Sequence, residues 1–231
     1  MWRYQVALIL LLATTALAWT DSTIGVLGDS FTQTSGSTKF FGPYYQSAFR
    51  EMGFNYANYG AGGSKTCEYT NPTQNGLSGL VDRTADLIAM EAAGPYFAVS
   101  LNWGHNDQTF SGILGSDELG AAAFDICYRE IVRRLGNISR YVFINSTAFG
   151  TVQEYEDVVR QIIIDDPKAH LASEIFLDPY WASHIVNPEP PNNPADIHPN
   201  EAGSIHYTNQ LFMTIRNVIH TNAGSYRKAS R

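Results

Sequence analysis

Cysteine is scarce in this sequence: Cys67 and Cys127 are all that 231 residues contain, so at most one disulfide bond forms within the chain. Basic residues are also in deficit, with 15 Lys and Arg against 22 Asp and Glu for a net charge of −7. That balance excludes nucleic acid and anionic lipid headgroups as the main partner. After the first eighteen residues no run is apolar enough to span a bilayer, which excludes stable membrane insertion. Neither HExxH nor a Cys/His pair occurs, so the clustered ligands of a metal site are lacking and no metal or cofactor is expected. Internal repeats and low-complexity tracts are missing too, and with them any sign of a modular chain.

What the chain does have begins with "MWRYQVALILLLATTALA", residues 1–18. One basic residue (Arg3), an apolar run from Val6 to Ala13 and an Ala16-Leu17-Ala18 ending are laid out as a secretory signal peptide, cleaved after Ala18. Its apolar core is shorter than the roughly 20 residues that a membrane span needs. Removing 18 residues from 231 leaves 213, residues 19–231, enough for one α/β domain with a full core and short for two. Losing Arg3 takes the charge from −7 to −8. The product is expected to be secreted. In an oxidising compartment a Cys67–Cys127 bond would close a loop with an entropy contribution of about 4 kcal/mol; two buried thiols are the alternative. "NIS" at Asn137 and "NST" at Asn145 match the N-glycosylation pattern, while Pro72 excludes Asn71. Asn145 ends a strand-like run, which leaves Asn137 as the better surface acceptor.

Short apolar runs alternate with helix-length amphipathic stretches, the pattern of a parallel sheet covered on both faces. Strands are predicted at Thr23 to Leu27, Phe54 to Tyr59, Tyr96 to Asn102, Tyr141 to Asn145 and Glu174 to Leu177. Pro43 opens a first helix and Gly53 ends it. Leu77, Leu80, Val81, Leu87 and Ile88 keep a helical stripe until Gly94-Pro95. A third helix has Asp117 and Glu118 at its favourable positive end and Gly136 at its close. Tyr155, Val158, Val159, Ile162 and Ile163 mark a fourth, and the last starts at about Pro199. The fold class is α/β, a three-layer α/β/α sandwich around a five-stranded parallel sheet. Before the last helix, "VNPEPPNNPADIHPN" is rich in proline, which restricts the chain without regular structure.

In open parallel sheets the ligand crevice lies beyond the carboxyl ends of the strands. There the first strand ends in Asp29-Ser30, the second in "NYGAGGSKT" and the third in "NWGHND". A serine hydroxyl is not ionised at neutral pH, and Ser30 becomes a nucleophile only if a neighbouring base takes its proton; at a strand end it otherwise serves as a helix cap. Gly60, Gly62 and Gly63 allow close approach and expose N–H groups. The positions held by Tyr59 and Ser64 break the phosphate-loop pattern, but such donors suit a developing oxyanion equally well. Asn106 adds a side-chain N–H, or closes a turn with an Asx bond. His198, between the proline-rich loop and the last helix, is the candidate base; a lone histidine there otherwise caps the helix or faces solvent. His105 sits inside the third-strand turn, and the other histidines have no comparable setting. Asp29 is expected to hold the turn before Ser30 through backbone N–H bonds.

"GDSFT", "NYGAGG", "GHND" and "HPNEAG", in that order and spread over nearly the whole mature chain, resemble the four sequence blocks of the SGNH, or GDSL-type, hydrolase family. The resemblance implies the flavodoxin-like sheet of that family, Ser30 as nucleophile and His198 as general base. It also implies an oxyanion hole made of the Ser30 N–H, the Gly63 N–H and the Asn106 side chain. Gly63 is selected because the family's donor glycine lies five residues after the Asn that is here Asn58. One departure stands out. The family has an acid three residues before its histidine, and that position is Ala195, with Asp196 one residue later; either Asp196 or a backbone carbonyl orients the imidazole. G-x-S-x-G is absent, so the usual α/β-hydrolase elbow does not compete. The implied activity is hydrolysis of carboxylic esters through an acyl-enzyme. "WGHND" is similar to the block of secreted carbohydrate acetylesterases, with Trp103, Trp181 and Tyr180 as candidate sugar platforms or core residues. A lysophospholipase or lipase, an acyltransferase, and a catalytically silent binding protein of the same fold are the rivals.

Overall fold

Val26 and Leu27 are adjacent in the chain yet bury their side chains in different cores, because successive Cβ atoms of a strand point to opposite faces. The same alternation separates Ala98 from Val99, and Phe143 from both Val142 and Ile144. A computed structural model describes residues 22–33, 42–70, 80–107, 120–146, 153–174 and 198–229. In it β1 (Thr23–Gly28), β2 (Asn55–Asn58), β3 (Tyr96–Asn102), β4 (Ser139–Asn145) and β5 (Ala169–Ser173) form one five-stranded sheet in the order β2-β1-β3-β4-β5. Every pairing is parallel.

Six described helices cover the sheet: α1 (Gly42–Glu51), α2 (Thr66–Thr70), α3 (Thr84–Ala93), α4 (Ala121–Asn137), α5 (Gln153–Asp165) and α6 (Glu201–Ala229). Tyr45 and Phe49 of α1 and Tyr207, Leu211 and Ile215 of α6 pack over Val26, Ala98 and Phe143. On the other face α2, α3, α4 and α5 pack over Leu27, Val99, Leu101 and Ile144. Helix α4 shows why. Phe124, Cys127, Tyr128, Ile131, Val132 and Leu135 are all buried, at the three- and four-residue spacing that puts them on one side of a helix. Each such side chain contributes roughly 1.5–3 kcal/mol by leaving water. The helix ends where Ile138 N–H bonds the Leu135 carbonyl, and the Lys168 ammonium reaches the Gly136 carbonyl, a cation at the negative end of the helix.

At four places the structure corrects the expectations from sequence. The fifth strand is Ala169–Ser173 and not a run beginning at Glu174, whose remaining positions 175–177 lie outside the described residues. Asp166 decides this: its side chain accepts the Lys168 N–H at 2.8 Å and its carbonyl the Ala169 N–H at 2.9 Å, turning the chain at once into register with β4. In the described part of the second amphipathic stretch residues 80–83 are not helical and the helix starts at Thr84, because the Glu68 carboxylate takes the Val81 N–H and the Arg83 guanidinium, and the Glu68 carbonyl takes the Arg83 N–H. The last helix starts at Glu201 rather than Pro199. Asn200 caps it, its side-chain oxygen accepting the Gly203 N–H at 2.9 Å. Finally, Asn145 is fully buried and donates to the Leu101 carbonyl at 3.0 Å. A glycan has no room there, whereas Asn137 is exposed at the end of α4.

Cys67 and Cys127 form a disulfide, their Cα atoms 5.1 Å apart across a sequence separation of 60. The bond fastens α2 to α4. The leader at residues 1–18 lies outside the described residues, as do Asp117, Glu118, Leu77, Tyr180 and Trp181.

Candidate active site

From β1 the chain passes to one side to form β2 and to the other to form β3. That reversal opens a crevice at the carboxyl ends of β1 and β3, where Asp29-Ser30 and the segment 103–107 emerge.

The turn after β1 is built by Asp29. Its amide donates to the Asn102 carbonyl at 3.1 Å, one carboxylate oxygen accepts the Phe31 N–H at 3.0 Å, and its carbonyl accepts the Thr32 hydroxyl at 2.9 Å. This is the turn-forming role expected of it. Burial pushes the Asp29 carboxyl well above the ordinary carboxylate range, and its second oxygen has no partner among the described residues. Ser30, held at the tip, stays partly exposed while Phe31 is buried.

The Ser30 hydroxyl meets His198. Oγ lies 2.7 Å from the imidazole Nε2 across a sequence separation of 168. With the ring proton on Nδ1, the serine hydroxyl donates and the imidazole accepts, the arrangement a general base needs. The last helix anchors His198, since the Asn200 cap fixes the start of α6 two residues on. The Phe31 ring lies against it at 5.5 Å between centroids and against His105 at 5.8 Å. Burial, then the nearby His198, lowers His105 to about 4, so this second imidazole is neutral at physiological pH.

The glycine turn is seated over Ser30. Asn58 holds it, with Nδ2 donating to the Thr32 carbonyl at 2.6 Å and Oδ1 accepting the Gly60 N–H at 2.7 Å. A Cβ on Gly60 would stand 2.3 Å from the Thr32 hydroxyl and 2.9 Å from its backbone, so only glycine fits. Gly63 has φ +72°, the left-handed conformation that side chains disfavour. A Cβ on Gly62 would lie 3.9 Å from the Ser30 Cβ, which puts the turn beside the hydroxyl.

Asn106 approaches the same turn from β3, its Nδ2 donating to the Ser64 carbonyl at 3.2 Å. A primary amide carries two N–H hydrogens, so one donor is fixed and one remains. Asp107 braces the loop. One of its oxygens accepts both the amide and the hydroxyl of Thr66, at 2.8 and 2.7 Å, and the other accepts the Gly104 N–H at 3.2 Å. Burial outweighs these bonds and pushes its carboxyl up to about 6.

Ser30, Gly63, Asn106 and His198 thus converge on one rim. Asp196 and Ala195 lie outside the described residues. Trp103 is not a sugar platform: it is fully buried, and its indole N–H donates to the Ser64 hydroxyl at 3.2 Å. Sequence reasoning missed Ser64, Thr66, Phe31 and the bracing role of Asp107. Only Asp107 carried a local signal, as an acid next to the turn asparagine. Among the described residues no group of three His, Cys, Asp or Glu side chains is placed to hold a metal.

The same fold occurs in solved structures. TesA matches with a TM-score of 0.58 and 16% identity over 84% of this chain and 98% of that one. Axe2, an acetylxylan esterase from Geobacillus stearothermophilus, matches with a TM-score of 0.59 and 17% identity over 84% and 93%. The YXIM protein of Bacillus subtilis matches with a TM-score of 0.60 and 16% identity over 86% of this chain and 57% of that one. Catalytic mutants of Axe2 replace a serine and an aspartate by alanine. No protein-family model matches the chain, and no curated protein sequence does.

Proposed function

We propose that this chain is an exported serine esterase of the SGNH type that cleaves carboxylic esters through an acyl-enzyme. The observation that carries the reading is the 2.7 Å contact between Ser30 Oγ and His198 Nε2, two groups separated by 168 residues of sequence. His198 takes the hydroxyl proton as Ser30 Oγ attacks the ester carbonyl. The carbonyl oxygen gains negative charge and is received by the N–H groups of Ser30 and Gly63 and the free amide hydrogen of Asn106. The imidazolium then protonates the leaving alcohol. A water, deprotonated by the same imidazole, releases the acid and restores Ser30. Asp196 orients the imidazole in this scheme, and its replacement by alanine lowers kcat without changing the products.

The substrate is an acetylated carbohydrate. "WGHND" and the shared fold with an acetylxylan esterase support this. Export rests on the leader at residues 1–18 and agrees with the Cys67–Cys127 bond; no helix among the described residues is long and apolar enough to cross a membrane.

The test is purified protein on acetylated xylooligosaccharides, p-nitrophenyl esters of increasing chain length and lysophospholipids, with Ser30→Ala as control. Fastest release of acetate from the carbohydrate is expected, with no turnover by the control. A steep preference for long acyl chains assigns a lipase instead. Transfer of the acetyl group to an added sugar in preference to water assigns a transferase. Failure of a fluorophosphonate probe to label wild type above Ser30→Ala leaves a binding protein.

A further inference from the structure

We infer that Ser64 is a positioning residue for the oxyanion donors, an inference that rests on the esterase reading above. Ser64 is fully buried and bonds to the glycine turn, to the ends of β1 and β3 and to Asn106. Its amide donates to the Ala61 carbonyl at 3.2 Å, inside the glycine turn. The hydroxyl donates to the carbonyl of Gly28, the last residue of β1, at 3.2 Å. The same hydroxyl accepts the indole N–H of Trp103, the first residue after β3, at 3.2 Å. Its carbonyl accepts the Asn106 amide at 3.2 Å.

A hydroxyl has one hydrogen and two lone pairs, so the bonds to Gly28 and Trp103 are compatible and together fix where the residue sits between two strand ends. Its backbone then sets two donors. Gly63 precedes it directly, in a left-handed conformation with open space where a Cβ would stand, so a shift of the Ser64 backbone carries the Gly63 N–H with it. Asn106 is held through the Ser64 carbonyl. Removing the hydroxyl leaves the indole N–H without this acceptor in a buried place, a cost that backbone movement relieves. Movement there shifts both donors, and an error of about 1 Å at a reacting centre lowers rates by up to about 10²-fold. Thr66, two residues on, is clamped by Asp107, so the shift is confined to the turn.

The experiment is a double-mutant cycle on the full chain with p-nitrophenyl acetate: wild type, Ser64→Ala, Asn106→Ala and the pair. Ser64→Ala is expected to lower kcat about ten- to thirtyfold with KM within about twofold. In the Asn106→Ala background the same substitution is expected to cost about threefold or less, because one of the two donors that it misplaces is already gone and only the Gly63 N–H is left to shift. Equal losses in both backgrounds, or an unchanged kcat for Ser64→Ala, overturn the inference and leave Ser64 a packing residue. Should Ser64→Ala not fold, Trp103→Phe removes the indole donor, keeps an aromatic ring in the core and enters the same cycle with the same expected coupling. An inert wild type that also escapes fluorophosphonate labelling removes the esterase reading and this inference with it; an active wild type with an uncoupled Ser64 removes this inference alone.

Discussion

Strand β3 and the loop that leaves it are buried alike and built differently. Ala98, Val99 and Leu101 are fully buried among apolar neighbours from several elements, and no single contact defines their position. Beyond the strand Asp107 is equally buried, but each of its oxygens has named partners, two of them on Thr66 at a sequence separation of 41. Apolar burial is non-directional and roughly proportional to area, whereas a buried polar group requires one partner at one distance and angle. The difference teaches where function is carried. Changes in the sheet interior lower stability and leave the chemistry of the folded molecule alone. Changes at the rim act on the chemistry, whatever they do to stability.

The sharpest way to break this contrast is His198→Ala, which is expected to lower kcat by about 10⁴-fold or more while moving the melting temperature by only a few degrees. Steady-state kinetics beside thermal unfolding checks both halves, and retention of a tenth of wild-type turnover would end the case for a base at this position. Next in size is the interior. Phe124 is fully buried against Tyr128 and Tyr155, and Phe124→Ala is expected to cost about 3–5 kcal/mol in denaturant unfolding. Activity per folded molecule should stay within about twofold of wild type; a large fall in kcat there would erase the boundary between core and rim. The disulfide lies close behind. Cys67→Ser with Cys127→Ser opens a loop of 60 residues' separation, and a loss of about 4 kcal/mol is expected from loop entropy.

The smallest expected effects are in the rim's own titrations, and they oppose each other. Asp107 is raised to about 6, so the folded state binds its proton more tightly than the unfolded chain, and this group's contribution to stability falls as pH rises from about 4 to 6. His105 is lowered to about 4. There the unfolded chain binds the proton first, and the contribution rises with pH up to about 6.5. Each is on the order of 3 kcal/mol at about 1.4 kcal/mol per unit, and the two largely cancel in wild type. Urea midpoints at steps between pH 4 and 7 separate them. Asp107→Asn should steepen the rise of stability with pH relative to wild type, and His105→Gln should turn the difference the other way. Two variants whose pH profiles run parallel to wild type would show that neither group is perturbed in the folded protein.

Much of this was legible in the residues alone. The alternating runs around Val26, Val99 and Phe143 gave the strands and, with the helical stripes, both covered faces. The ordered blocks placed Ser30, Asn106 and His198 at one rim, and the Asn58-to-Gly63 spacing selected the glycine proposed as a donor. The failures have physical causes. "EIFL" is the more β-prone segment, yet the turn at Asp166-Pro167 starts the strand earlier, because pairing with β4 begins as soon as the chain has reversed. Trp103, left by its sequence as a sugar platform or a core residue, proves to be core, its indole N–H bonded to a buried acceptor. Nothing local marks Ser64: its partners at Gly28, Trp103 and Asn106 are 36, 39 and 42 residues away.

The sequence by itself determined the layered α/β plan, the order of its elements and the small set of polar side chains at the ends of its strands, because hydrophobic periodicity and turn residues act over a few neighbouring positions. Only the tertiary structure decided that Cys67 bonds Cys127, that β5 lies at Ala169–Ser173, and that Ser64 and Asp107 join the strand ends beneath the rim. Those outcomes depend on directional contacts between residues distant in the chain, and such contacts exist only once the sheet has brought their backbones together.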